Sequence, residues 1–281
     1  MFHKVPTFRN DPVFRTAPMY RRYFNASLLA LLGAVLAPAQ AVAQATPSPS
    51  DIIAASDNVK NPGQPFRVGL TLVEYKRGQA HDAVKLTVHS KFEGKGGQYK
   101  NLVRYTAPAR DVGKLVLLNE GNMWFYDPAS KASIRISAQQ RLVGQASDGD
   151  VLTVNLARDY TPKLIDEPTI ADADKQQRST WHLDLVASTD SAMYAHLELW
   201  VEKETYRPIK AKFYSDSNRV LKLAFYRKYE EQLGGTRPTE TIIVDAIDSN
   251  LVTKISYSDF RAEQVREEWF QRDYLPRFTE D

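Results

Sequence analysis

From Val68 onward, apolar residues fall at every second position through most of this chain, and that spacing limits its fold more than any other feature. Side chains alternate between the two faces of a strand, so a period of two describes a sheet with a core on one side. Val68, Leu70 and Leu72 alternate with Thr71 and Val73; Val84, Leu86 and Val88 alternate with Lys85, Thr87 and His89. Residues 99–105 continue the pattern beyond a glycine-rich turn at 94–97. It returns at 181–186, 194–202, 208–214, 220–228, 239–247 and 251–260, with Asp, Ser and Gly in the turns. In that half Leu197, Leu199 and Val201, then Leu221, Leu223 and Phe225, form apolar faces opposite charged ones. Connections this short imply antiparallel pairing. No linker or composition shift divides residues 51–281, which predicts one mainly β domain with few helices.

Residues 107–136 depart from the one-faced rule. Strands at 114–119 and 123–126 flank Glu120-Gly121-Asn122, a turn suited to positive φ. Asp127-Pro128 breaks the chain and 133–137 resumes it. Alternation puts Trp124 and Tyr126 on one face and Met123 and Phe125 on the other. Both faces are apolar, so both need a cover: the core on one side, and something that comes and goes on the other.

The period of two fails in three other places. Ser50 or Asp51 can cap a short helix over 50–59, with Ile52 and Ile53 as its contacts, ended by Asn61-Pro62-Gly63-Gln64-Pro65. Residues 138–157 have mixed spacing with Gly144, Gly149 and a capping Ser147-Asp148, which predicts one or two helical turns in a long excursion. Such an excursion is either a lid over a binding site or a plug over an exposed sheet end. The tail at 266–278 carries Trp269, Phe270, Tyr274, Leu275 and Phe278 and reads as an amphipathic closing segment.

The first 43 residues read as a signal peptide. Arg21-Arg22 precede an apolar run at 28–36, and small residues lead to Ala41-Val42-Ala43, with cleavage expected before Gln44. The run is too short to span a bilayer. Residues 44–50 then form a loose start, and the domain occupies 51–281. Removing the leader takes away five basic residues and one acidic one. The totals of 37 and 34 become 32 and 33, and the net charge moves from +3 to −1. The basic balance belongs to the leader, so nucleic acid is not an expected partner. The absence of cysteine rules out disulfides and a lipidated mature N-terminus. The expected product is soluble and periplasmic.

Chemistry is sparse. The sequence has no nucleophile elbow, phosphate loop or zinc-protease helix, and nothing singles out a catalytic pair among the scattered carboxylates. Of His81, His89, His182 and His196, His182 and His196 lie near one another across a hairpin but lack a third close ligand, so no metal site and no cofactor are expected. The reading is of a protein that is not an enzyme.

A resemblance adds to this. Arg104-Tyr105-Thr106-Ala107-Pro108, Val112-Gly113-Lys114-Leu115, Trp124-Phe125-Tyr126-Asp127-Pro128, Arg135-Ile136, Gly144, Asp159-Tyr160 and Tyr206-Arg207-Pro208 occur in that order. Together they resemble the outer-membrane lipoprotein-sorting protein family, the LolA-like periplasmic carriers, over residues 50–278. The resemblance implies an open antiparallel sheet of about eleven strands, curled into an incomplete barrel with helical lid elements on its concave face. It also implies a monomeric carrier that binds lipoprotein acyl chains or another lipid and shuttles them from an inner-membrane exporter to an outer-membrane acceptor. Carriage through water needs an apolar cavity, because each exposed methylene costs about 0.8 kcal/mol. By strand parity the cavity-lining candidates are Leu70, Leu72, Leu86, Val103, Leu115, Leu117, Trp124, Tyr126, Leu183 and Leu199. The alternative is a protein-interaction module of an envelope complex whose greasy patch is a permanent interface.

Overall fold

Residues 46–94 and 97–280 are described by the computed structural model. The expected signal peptide lies outside the described residues. The chain enters through helix α1 (Pro49–Lys60), capped by Ser48. The cap falls two residues earlier than the sequence suggested, because Pro49 pre-sets the first turn and Asp51 closes a capping box back onto Ser48. The end of the stretch expected to be loose is therefore helical. Ile52 and Ile53 are fully buried and pin α1 to the sheet.

A meander follows: β1 (Phe66–Lys76), β2 (Gln79–Phe92), β3 (Tyr99–Ala107), β4 (Leu115–Asn119), β5 (Asn122–Asp127) and β6 (Ala132–Arg135). The excursion holds a two-stranded ribbon, β7 (Arg141–Val143) with β8 (Ala146–Ser147). A 3-10 turn at Asp148–Val151 and the one-turn helix α2 (Leu156–Asp159) complete it. The second half supplies β9 (Tyr160–Asp166), β10 (Thr169–Ala171), β11 (Gln177–Ala187), β12 (His196–Glu202), β13 (Pro208–Tyr214), β14 (Val220–Gln232), β15 (Gly235–Asp245) and β16 (Leu251–Ala262).

These make one antiparallel sheet of 14 strands, running from β10 through β11–β16, then β1, to β6, and it does not close into a barrel. The count exceeds the expected eleven partly because β9 and β10 take successive places along the free side of β11. Pairing of β1 with β16 joins the two halves, with Leu70 opposite Tyr257 and Leu72 opposite Ile255. The Glu120-Gly121 turn has φ of 50° and 73° and pairs Asn119 with Asn122, a two-residue hairpin loop of the primed type that matches strand twist.

The sheet's two faces are covered differently. The inner face carries α1 and the 138–160 excursion over Leu70, Leu72, Leu86, Val103, Leu183 and Leu199, all buried. Outside, Leu102, Leu115, Leu117 and Tyr126 pack under Trp269, Phe270 and Leu275, with Trp124 beside them. The tail is thus the permanent cover of the second greasy face of β3–β5, in place of a transient guest. Each large side chain buried there contributes about 1.5–3 kcal/mol. Asn119 Nδ2 donates to the Phe270 carbonyl at 2.9 Å, and the Arg272 guanidinium lies 4.4 Å from the Trp124 ring centre. Buried His89 joins the tail to β2 through Glu263 (2.6 Å) and Glu280 (3.0 Å).

On β14 the inward face is the reverse of the sequence reading. Lys222 and Ala224 are buried on the inner side, while Leu223 and Phe225 pair with Lys212 and Lys210 on the outer side. Outside, Lys210 stacks on Trp200 and Phe225 (4.6 and 5.9 Å), so the outward aromatic rings are shielded by lysine stems.

Candidate ligand-binding hollow

A hollow of about 100 Å³ lies between the inner face of the sheet and the segment above it. The floor comes from alternate residues of successive strands, Leu197 and Leu199 on β12, Ala211 and Phe213 on β13, Ala224 and Tyr226 on β14, Thr241 and Ile243 on β15, and from Tyr257 and Phe260 on either side of a bulge in β16. Phe66 and Val68 of β1 extend it. Residues 149–154 with Leu156 form the roof, and Lys60, Asn61 and Pro62 at the end of α1 form one wall. The lining is mainly apolar and aromatic, which suits a chain-like guest better than a polar metabolite.

Polar bonds fix the roof at both ends. Asn61 Nδ2 donates to the Val154 carbonyl at 2.7 Å, and Asp57 accepts from the Ala157 amide at 2.8 Å. On the β3 side, Asn101 and Thr153 exchange two hydrogen bonds, and the Asn155 amide donates to Gln98 Oε1 at 2.6 Å. Gly144, at the ribbon turn, has φ +55°, and a Cβ there would lie 2.3 Å from Thr253 Oγ1, so only glycine lets the ribbon rest on the sheet.

Over the floor, Lys222 of β14 is ion-paired with Asp150 of the roof and bonds Ser147 Oγ at 3.1 Å. Tyr194 OH donates to the same carboxylate at 2.9 Å. Both ionic partners are buried, so this pair latches roof to floor. Burial raises the hydroxyls of Tyr160 and Tyr257 to about 12 and the carboxyls of Asp57 and Asp148 to about 7. Burial also lowers the Lys60 ammonium below the ordinary lysine value.

Of the ten residues picked by strand parity, Leu199 lines this hollow. Leu70, Leu72, Leu86, Val103 and Leu183 lie on the inner face but within the packed core around it. Leu115, Leu117, Trp124 and Tyr126 are on the outer face under the tail, so their assignment to the cavity is corrected. The reason is register: Val103 pairs with Val116, which sends Leu115 and Leu117 to the opposite side. Sequence reasoning missed Phe213, Tyr226, Tyr257, Phe260 and Lys60. For Tyr226 the signal was parity again, since it lies two residues from Ala224 on the face opposite Leu223 and Phe225.

The histidines are engaged elsewhere. His182 stacks on Trp200 at 4.1 Å and contacts Asp166 and Glu198, and His196 stacks on Tyr214 at 4.2 Å beside Asp184. Among the described residues no helix is long and apolar enough to cross a membrane.

A protein-family model described as "Uncharacterized protein", of the -like kind, matches residues 97–277. Among solved structures the chain is similar to a LolA superfamily protein from Nitrosomonas europaea, with 30% identity and a TM-score of 0.71, covering 82% of this chain and 100% of that one. A DUF1329 family protein from Desulfovibrio piger shares the fold at 21% identity and a TM-score of 0.67, over 80% of this chain and 97% of its own. So does an outer membrane lipoprotein-sorting protein domain from Vibrio parahaemolyticus, at 17% identity and 0.67, over 81% and 97%. No curated protein matches the sequence.

Proposed function

The chain belongs to the LolA superfamily, and we propose from that premise that it is a carrier, holding lipid or lipoprotein acyl chains in the hollow and ferrying them through the periplasm. The observation that carries this reading is an apolar hollow with a separate roof, held down by a few polar bonds. The hollow of about 100 Å³ takes only a few methylenes, so a longer guest chain lifts the roof as it enters and replaces water against Leu197, Leu199, Phe213 and Phe260, with a gain that grows with each methylene buried. Release requires that the roof lift, and its hydrogen bonds and ion pair re-form with water when it does. The reading assigns an inner-membrane exporter as donor and an outer-membrane acceptor as destination. It leaves no catalytic step to the protein and asks for no cofactor.

The rival reading, a permanent interface on a greasy patch, rests on Trp124 and its neighbours. That patch is occupied by the chain's own tail. Protein purified from the native envelope, extracted with organic solvent and analysed by mass spectrometry, is expected to yield co-purified lipid in stoichiometric amount. Lipid-free protein from the same preparation, and no uptake of added fatty acid, would count against carriage.

A further inference from the structure

The polar groups facing the hollow divide into those with partners and those without. Asp150 is shared by Lys222 and Tyr194, Tyr160 OH donates to the Tyr194 carbonyl at 2.9 Å, and the Thr241 and Tyr257 hydroxyls pair with each other. Lys60 and Tyr226 stand apart. Among the described residues, Lys60 makes no ion pair; its ammonium lies 5.8 Å from the centre of the Tyr226 ring, and both side chains line the hollow. The Tyr226 hydroxyl has no hydrogen-bond partner among the described residues. The two acids whose charges reach Lys60 are committed elsewhere: Asp57 holds the Ala157 amide and Asp150 is latched to Lys222. A cation left without a counter-ion against apolar walls gains most from an anion brought in by the guest.

We infer that the hollow selects amphiphiles with an anionic head group, a carboxylate or a phosphate, bound at its α1 end by the Lys60 ammonium and the Tyr226 hydroxyl while the apolar chain lies along β12–β16. The inference rests on the carrier reading and adds the head group to it. The lowered proton affinity of Lys60 agrees, since an incoming anion restores the charged form.

The test measures binding of palmitic acid, hexadecyl phosphate and hexadecanol to the full chain by equilibrium dialysis at pH 7. Inorganic phosphate and acetate serve as chain-free competitors. The wild type is expected to hold the two anionic amphiphiles about tenfold or more tighter than the alcohol, the scale of one charge-assisted hydrogen bond in a dry site. Lys60→Met is expected to lower affinity for the two anionic amphiphiles to that of the alcohol, and Tyr226→Phe to remove part of the preference. Lys60→Gln provides the same comparison if the Met variant misfolds. Equal binding of acid and alcohol by the wild type, or a preference that survives both Lys60 variants, overturns the head-group assignment and leaves carriage standing. Displacement by inorganic phosphate alone at matching concentration would make this a free-anion site and overturn the assignment. Binding of no amphiphile at all removes carriage and this inference together.

Discussion

Asp57 holds the roof to α1 at the cost of being buried as an acid. Its Oδ2 accepts the Ala157 amide, yet burial raises the carboxyl to about 7 from an ordinary 3.8. Between those values the folded protein keeps a proton that the unfolded chain has released, so this group's contribution is fully present below pH 4 and fades as the pH rises through 7. Asp148, raised to about 7 by burial and then by the charge of Asp150, acts in the same direction. Asp57→Asn keeps an acceptor for the Ala157 amide and removes the titration. Chemical denaturation across pH is expected to show wild type and variant alike near pH 4, with the variant more stable by about 1–3 kcal/mol at pH 8. Equal profiles at both ends would mean that Asp57 ionises without cost. The Lys222–Asp150 pair is a second residue-scale test. Lys222→Met leaves a buried carboxylate uncompensated and is expected to cost about 3–5 kcal/mol, most of it recovered by adding Asp150→Leu. No recovery in the double variant would show that the two act independently.

At the scale of elements, the two covers of the sheet make opposite predictions for the same kind of substitution. Leu117 is fully buried beneath Phe270 and Trp269, so Leu117→Glu is expected to unfold the domain, losing several kcal/mol in thermal or urea melts. Phe260 is half-buried at the edge of the hollow, so Phe260→Glu is expected to cost about 1–2 kcal/mol while sharply reducing uptake of a fluorescent fatty acid. If Leu117→Glu folds and Phe260→Glu does not, the two faces have been exchanged. The same contrast explains what the sequence could reveal. Strands with one charged face, such as β12 with Leu197, Leu199 and Val201 inward, are legible because alternation names the core side. β4, Leu-Val-Leu-Leu, is apolar on both faces and buried on both, so parity alone could not say that Val116 and Leu118 look in while Leu115 and Leu117 look out. β14 misled for another reason: Leu223 and Phe225 lie outside opposite Lys212 and Lys210, while Lys222 is drawn inside by Asp150, a residue 72 positions away. Long-range ion pairs of that kind leave no local trace. The ribbon of β7 and β8 is too short to show a period, and it is fixed by Gly144 resting on β16.

For the whole molecule, the 14-stranded sheet works as an open shell with β10 and β6 at its edges and β16 paired with β1 inside it, so the floor of the hollow is assembled from β12–β16 and β1, distant in sequence and adjacent in space. The tail closes the outside, and the excursion between the two halves closes the inside. The order of the family motifs and the period of two made this architecture legible; the location of the hollow within it depended on pairing register. In the carrier reading an apolar chain occupies the space between β12–β16 and the 149–156 roof. Photo-cross-linking with a palmitic acid bearing a diazirine along its chain, followed by peptide mass mapping, tests it most directly. Label is expected on Leu199, Phe213, Tyr257 and Phe260 of the floor and on residues 149–156, abolished by excess unlabelled palmitate. Label confined to the outer face around Trp124 and Trp269, or label that excess palmitate leaves unchanged, would contradict it.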